Sequence, residues 1–174
     1  MIDLETGRFV LREGVELYPG MTREDFFQSP LYATELYHES DKEDPKEPSY
    51  FLKIQNIDGY EMSLDLYFSK HDYLIEIDIT KPEFYNWPNW PEDVSEEEYA
   101  YAIKRYNDQF LASQIQGSLR EGTELWFDYM WGSITSSISL RHTPSVKITI
   151  RYDEIPFLEA KGMKFDDIDI LDLY

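Results

Sequence analysis

The chain contains no cysteine. That excludes disulfides and thiolate metal centres, and it fits a reducing compartment. Cations are scarce: 16 Lys and Arg stand against 35 Asp and Glu, and 16 − 35 = −19. An excess of that size repels nucleic acid and anionic lipid and attracts basic partners. No apolar run is long enough to span a membrane. The opening MIDLETGRFVLREG has neither the basic region nor the apolar core of a signal peptide. A single domain over residues 1–174, cytoplasmic and away from membranes, is therefore expected.

Motifs of chemistry are also missing. The eight glycines are scattered, so no phosphate-cradling loop forms, and no serine sits in a Gly-x-Ser-x-Gly elbow. The three histidines, His38, His71 and His142, fall at a strand end and in turns, and none neighbours a second metal ligand at useful spacing. Asp166, Asp167, Asp169 and Asp172 in the tail lack the glycine and terminal glutamate of a calcium loop. The sequence accordingly predicts no catalytic residue, no metal and no cofactor.

What is present is alternation. In the stretch 123–152, Ile134, Ile138 and Leu140 alternate with Thr135, Ser137 and Ser139, and Val146, Ile148 and Ile150 alternate with Lys147, Thr149 and Arg151. A period of two with one apolar face predicts half-buried antiparallel strands. A loop over 141–145 sets Leu140 opposite Val146, Ile138 opposite Ile148 and Ile134 opposite Tyr152. Ahead of this hairpin, Leu125, Phe127 and Tyr129 alternate with Glu124, Trp126 and Asp128, and a turn follows at Trp131-Gly132.

Residues 50–80 read as a second meander. A three-residue loop at Ile57-Asp58-Gly59 pairs Ile54 with Met62, Leu52 with Leu64 and Tyr50 with Leu66. The next turn pairs Phe68 with Tyr73, Leu66 with Ile75, Leu64 with Ile77 and Met62 with Ile79. The opposite face then carries Lys53, Gln55, Glu61, Ser63, Asp65, Tyr67, Glu76 and Asp78, with Asp65 directly opposite Glu76 and Lys53 diagonal to it. Like charges so placed repel.

Between the meanders, Ser95 and Glu98 form a capping box that starts a helix over 96–116. Tyr99, Ile103, Tyr106, Phe110, Leu111 and Ile115 make its apolar stripe, and Lys104, Arg105, Asn107 and Asp108 its polar side. Nearer the start, a hairpin is expected around Glu5-Thr6-Gly7, broken by Glu13-Gly14. Thr22 and Asp25 cap a short helix that Ser29-Pro30 stops. A strand is expected over 32–38, a loop over 39–48, and irregular chain over 155–162. The tail 164–174 fits an edge strand, a short helix or a segment docked on a partner. The run Pro19-Gly20-Met21-Thr22 resembles, over a short stretch, the opening of small bacterial outer-membrane-assembly and inhibitor domains. It lacks their lipobox cysteine and implies no function.

The reading is an α+β fold: two antiparallel meanders, about 50–80 and 124–152, form one bent sheet or two abutting sheets packed by the helix 96–116. Two features are candidate partner-binding sites. The first is the carboxylate face of Glu61, Asp65, Glu76 and Asp78. The second is the proline-separated pair Trp87 and Trp90, rimmed by Glu92 and Asp93, an aromatic centre with an acidic border. Size, acidity, and the lack of cysteine or a catalytic constellation resemble bacterial toxin-immunity proteins. That resemblance implies a non-enzymatic inhibitor of a basic toxin or nuclease, with no direct contact to nucleic acid. Two alternatives stand beside it. One is a DNA mimic, against which Lys104, Arg105, Lys147 and Arg151 count by interrupting any phosphate-like row. The other is a small hydrolase using Asp65 or Glu76, which a raised carboxylate pKa would support.

Overall fold

The computed structural model describes residues 1–39, 48–83, 93–115, 124–141 and 145–163. The first of these begins with two small strands, β1 (Phe9–Arg12) and β2 (Val15–Leu17), joined by Glu13-Gly14. Sequence places a break there; instead Gly14, at φ +73°, supplies the left-handed residue that closes the turn. The expected pairing around Glu5-Thr6-Gly7 is reduced to one bridge, Ile2 to Phe9. Helix α1 (Arg23–Gln28) starts as expected: Thr22 Oγ1 accepts from the Asp25 N–H (3.1 Å), and Asp25 Oδ2 accepts from the Thr22 N–H (2.9 Å). A π-helical turn then occupies Leu31–Glu35, so strand β3 is confined to Leu36–Glu39 rather than the expected 32–38. Within this turn Thr34 donates its hydroxyl to the Pro30 carbonyl.

Next come β4 (Ser49–Leu52), β5 (Gln55–Ile57), β6 (Tyr60–Phe68) and β7 (Leu74–Thr80). Asp58 and Gly59 both have positive φ, 51° and 88°, so the loop is the two-residue type that Asp-Gly favours, one residue shorter than expected. Gln55 therefore opposes Met62 and is buried, and Ile54 is 56% exposed. The break at Lys53-Ile54 absorbs the offset, so β4 recovers the expected pairing of Tyr50 with Leu66.

The β6–β7 ladder sits two residues from the expected register. Leu64 opposes Ile79 and Leu66 opposes Ile77. One residue comes from a longer turn, with Phe68 opposite Leu74, and one from an irregularity between Tyr67 and Phe68. Two single-residue offsets add to an even slip, which keeps every side chain on its face.

The second meander comprises β8 (Glu124–Tyr129), β9 (Gly132–Ser139) and β10 (Ser145–Tyr152). Here too the slip is two. Val146 opposes Ile138, Ile148 opposes Ser136, and Ile150 opposes Ile134. The ladder closes at Ser139 and Ser145, leaving Leu140 exposed outside it. At the other end Gly132 opposes Tyr152. A Cβ on Gly132 would lie 1.9 Å from the Arg151 carbonyl oxygen, so only glycine fits there.

The meanders join through β7 and β10, with Ile77 opposite Ile150 and Ile79 opposite Ile148. This resolves the choice between one sheet and two: a single eight-stranded antiparallel sheet runs β3-β4-β6-β7-β10-β9-β8, with β5 also on β6. One face of it is hydrocarbon. Leu64, Leu66, Ile77, Ile79, Ile134, Ile148 and Ile150 form the core with the β1–β2 hairpin, Phe26 of α1, and Phe110, Leu111 and Ile115 of helix α2 (Glu96–Ile115). Each such fully buried side chain is worth about 1.5–3 kcal/mol.

Helix α2 begins at the expected box. Ser95 Oγ accepts from the Glu98 N–H, and Glu98 Oε2 accepts from the Ser95 N–H. Its polar side is not what sequence predicts. Lys104 is 3% exposed and Asn107 fully buried. Lys104 Nζ reaches both carboxylate oxygens of Asp108 (2.7 and 2.6 Å), and Asp108 accepts from the Ser136 hydroxyl of β9. Asn107 donates to Thr80 Oγ1 and accepts from the Lys81 N–H. Polar groups on the sheet beneath thus draw polar helix residues inward. After β10, Glu154 accepts from the Ser69 hydroxyl, and residues expected to be irregular form a short helix, α3 (Ile155–Ala160), that buries Leu158.

Candidate functional site

Alternation places a polar set on the sheet face opposite the hydrocarbon core, and cross-strand pairing sorts it into rows. Phe51, Asp65, Asp78, Thr149, Thr135 and Trp126 oppose one another in turn across β4, β6, β7, β10, β9 and β8. Tyr67, Glu76, Arg151, Ser133 and Asp128 form the row beside it. The carboxylate facing Asp65 is therefore Asp78, and the expected pairing of Asp65 with Glu76 is corrected by the two-residue slip of β7.

The group at the centre is well defined. Asp78, 7% exposed, accepts from Lys147 Nζ through Oδ2 and from Thr149 Oγ1 through Oδ1 (2.7 Å). Glu76 accepts from Arg151 Nε at 2.8 Å and lies 3.7 Å from Lys147 Nζ. Asp65 Oδ2 accepts from the Tyr67 hydroxyl at 2.9 Å, whereas its Oδ1 is buried with no hydrogen-bond partner. Burial pushes the Asp65 carboxyl above its ordinary range; the Tyr67 bond opposes this, the Asp78 charge adds to it, and Lys147 and His38 oppose it. Burial also raises Asp78, against the bonds from Lys147 and Thr149.

Three of the expected site residues are thus brought together: Asp65, Asp78 and Glu76. Glu61 is exposed on β6, four positions from Asp65 or roughly 13 Å along the strand, and its N–H donates to the Tyr106 hydroxyl of α2. Asp93 is exposed just ahead of α2. Trp87, Trp90 and Glu92 lie outside the described residues, as do His142 and the tail 164–174. Lys53 does not relieve the carboxylates; its Nζ donates to the Thr34 carbonyl. That work falls to Lys147, Thr149 and Arg151. Alternation aims them outward, but only the β7–β10 pairing, between strands far apart in sequence, brings them to Asp78 and Glu76.

The geometry bears on the chemistry. Acid–base work by a carboxylate pair needs both groups able to reach a reacting atom. Both oxygens of Asp78 are committed to Lys147 and Thr149, and of the facing pair only Asp65 has an oxygen without a donor. Among the described residues no three His, Asp or Glu side chains come together to hold a metal ion, and no helix is long and apolar enough to cross a membrane. No family model matches the chain, and no match is found among curated proteins or solved structures.

Proposed function

We propose that this is a non-enzymatic, acidic binding protein of the immunity or inhibitor type, which neutralises a basic protein such as a toxin or nuclease in the cytoplasm. One observation carries the reading: seven cations of the described residues are held by acids of the same chain, while further acids stand exposed. Arg8 pairs with Glu16, Arg12 with Glu35, Arg23 with Asp72, Lys81 with Glu83, Lys104 with Asp108, and Lys147 and Arg151 with the sheet carboxylates. Asp93, Glu96, Glu97, Glu98, Glu124 and Asp128 are exposed. A surface of that kind attracts a cationic protein over a Debye length and repels nucleic acid and other copies of itself.

The test is capture of a partner from the native host, followed by association kinetics at low and physiological salt. The captured protein should be basic. Its association rate should fall steeply with salt, and Glu96→Gln with Glu97→Gln should slow it while leaving the fold unchanged. An acidic partner, or an association rate indifferent to salt, overturns the reading.

A further inference from the structure

The sheet ends at β8. It pairs with β9 without interruption, from Glu124 opposite Ser137 to Tyr129 opposite Gly132, and among the described residues no strand lies beyond it. An edge of this length presents unpaired backbone donors and acceptors, and proteins usually blunt such edges with lysine, proline or a bulge. The sequence ELWFDY has neither lysine nor proline, and its ladder has no bulge. It instead offers two contrasting sides. Glu124, Trp126 and Asp128 stand exposed on the polar face, Trp126 at 58%. Leu125, Phe127 and Tyr129 are half-buried on the core face.

From this arrangement we infer that β8 is the docking edge for the basic partner, which adds an extended segment to it as a further strand. The inference rests on the binding function proposed above and names the surface and the mode. Added backbone hydrogen bonds supply the affinity, and alternate side chains supply the specificity. The incoming strand should alternate cations, set against Glu124 and Asp128, with aliphatic residues that continue the apolar layer beside Leu125, Phe127 and Tyr129. Its cations also have the face of Trp126 to lie on. A second copy of this chain suits the edge poorly. Each copy carries −19, and laying Trp126 opposite Trp126 sets Glu124 against Asp128.

The probe is a blocked peptide, KVKVKVK, with EVEVEVE and KKKKVVV as controls for charge and for alternation. The readout is amide hydrogen exchange and chemical shift across the labelled full chain. KVKVKVK should protect those amides of 124–129 that point away from β9, and KKKKVVV and EVEVEVE should not. Glu124→Lys with Asp128→Lys, both exposed, should weaken the peptide roughly tenfold. Four results each overturn the edge: no binding at about 1 mM peptide, shifts centred on Asp93 and Glu96, equal protection by KKKKVVV, or outward amides already protected in the protein alone. The last would mean that another part of this chain, or a second copy, already covers the strand. The two proposals fail separately. If a captured basic partner binds the double variant as well as the parent, the edge is wrong and the binding function stands. If the captured partner is acidic, the function is wrong whatever the peptide does.

Discussion

Replacing Asp65 by asparagine should make the protein more stable at neutral pH and leave it unchanged in acid. Ionised Asp65 holds a buried oxygen with no donor and faces Asp78 across the ladder. An unsatisfied buried polar atom costs about 1–3 kcal/mol and more when it is charged, so the neutral amide, with a polar atom at the same place, recovers only the part due to charge. A like-charge pair across strands costs about 0.2–1 kcal/mol. Against this, the Tyr67 bond loses its charge assistance, about 1 kcal/mol. The net expectation is a gain of about 1 kcal/mol, or about 2–4 °C in Tm at this chain length. Burial raises the folded-state pKa of Asp65 above its unfolded value. Between those two values the folded state holds more protons, so stability falls as pH rises through the window and stays low above it. Asparagine removes that loss, so its advantage should be full above the folded pKa and vanish below the ordinary carboxylate range, near about pH 3.9. Urea denaturation of parent and variant at neutral pH and at about pH 3, below the ordinary carboxylate range, measures it, with an unchanged m-value as the check on two-state comparison. A variant less stable than the parent at neutral pH, or a gain that persists undiminished in acid, refutes the argument.

Asp108→Asn should cost about 3 kcal/mol in denaturant, because it strands the buried Lys104 ammonium beneath α2; a loss under about 1 kcal/mol would mean that water reaches that ammonium. Ser95→Ala should cost about 1 kcal/mol through the lost cap of α2, and an unmoved urea midpoint would show that the box contributes nothing.

The parts of the fold legible in sequence are those fixed by neighbours in the chain. Thr22 with Asp25, and Ser95 with Glu98, lie within one helical turn, and both boxes form. Outside β5, where Gln55 is buried and Ile54 exposed, strand faces are legible for the same reason: Leu64, Ile77, Ile134 and Ile148 all point to the core. Register is not. A pattern of period two is indifferent to a slip of two, so only turn length and bulges decide between Leu64 facing Ile77 and Leu64 facing Ile79. The Asp58-Gly59 pair is itself the signal for a two-residue turn, one residue shorter than a loop at Ile57-Asp58-Gly59. Lys104 and Asn107 are illegible as buried residues, because Ser136, which donates to the Asp108 that holds Lys104, and Thr80, which accepts from Asn107, belong to strands whose place under the helix is set by tertiary packing.

The same slip that moved the register also changes what the acidic face means. With Glu76 opposite Asp65, the face would be an unrelieved row of carboxylates projecting toward a partner. With Asp78 in that place and β10 alongside, Lys147 and Arg151 lie against the acids, and Asp78 and Glu76 have their charges answered from within. Such carboxylates steer a partner weakly, because each acts at a distance as a dipole with its cation. Charges without a partner act at full strength. Under the proposed function, the exposed acids at the start of α2 set the rate of encounter, and the chemistry of the edge strand β8 sets how long the partner stays. Mutations at the two places should therefore separate kinetically. Glu96→Gln with Glu97→Gln changes association, and Glu124→Lys with Asp128→Lys changes dissociation as well, since it removes contacts made only in the docked state.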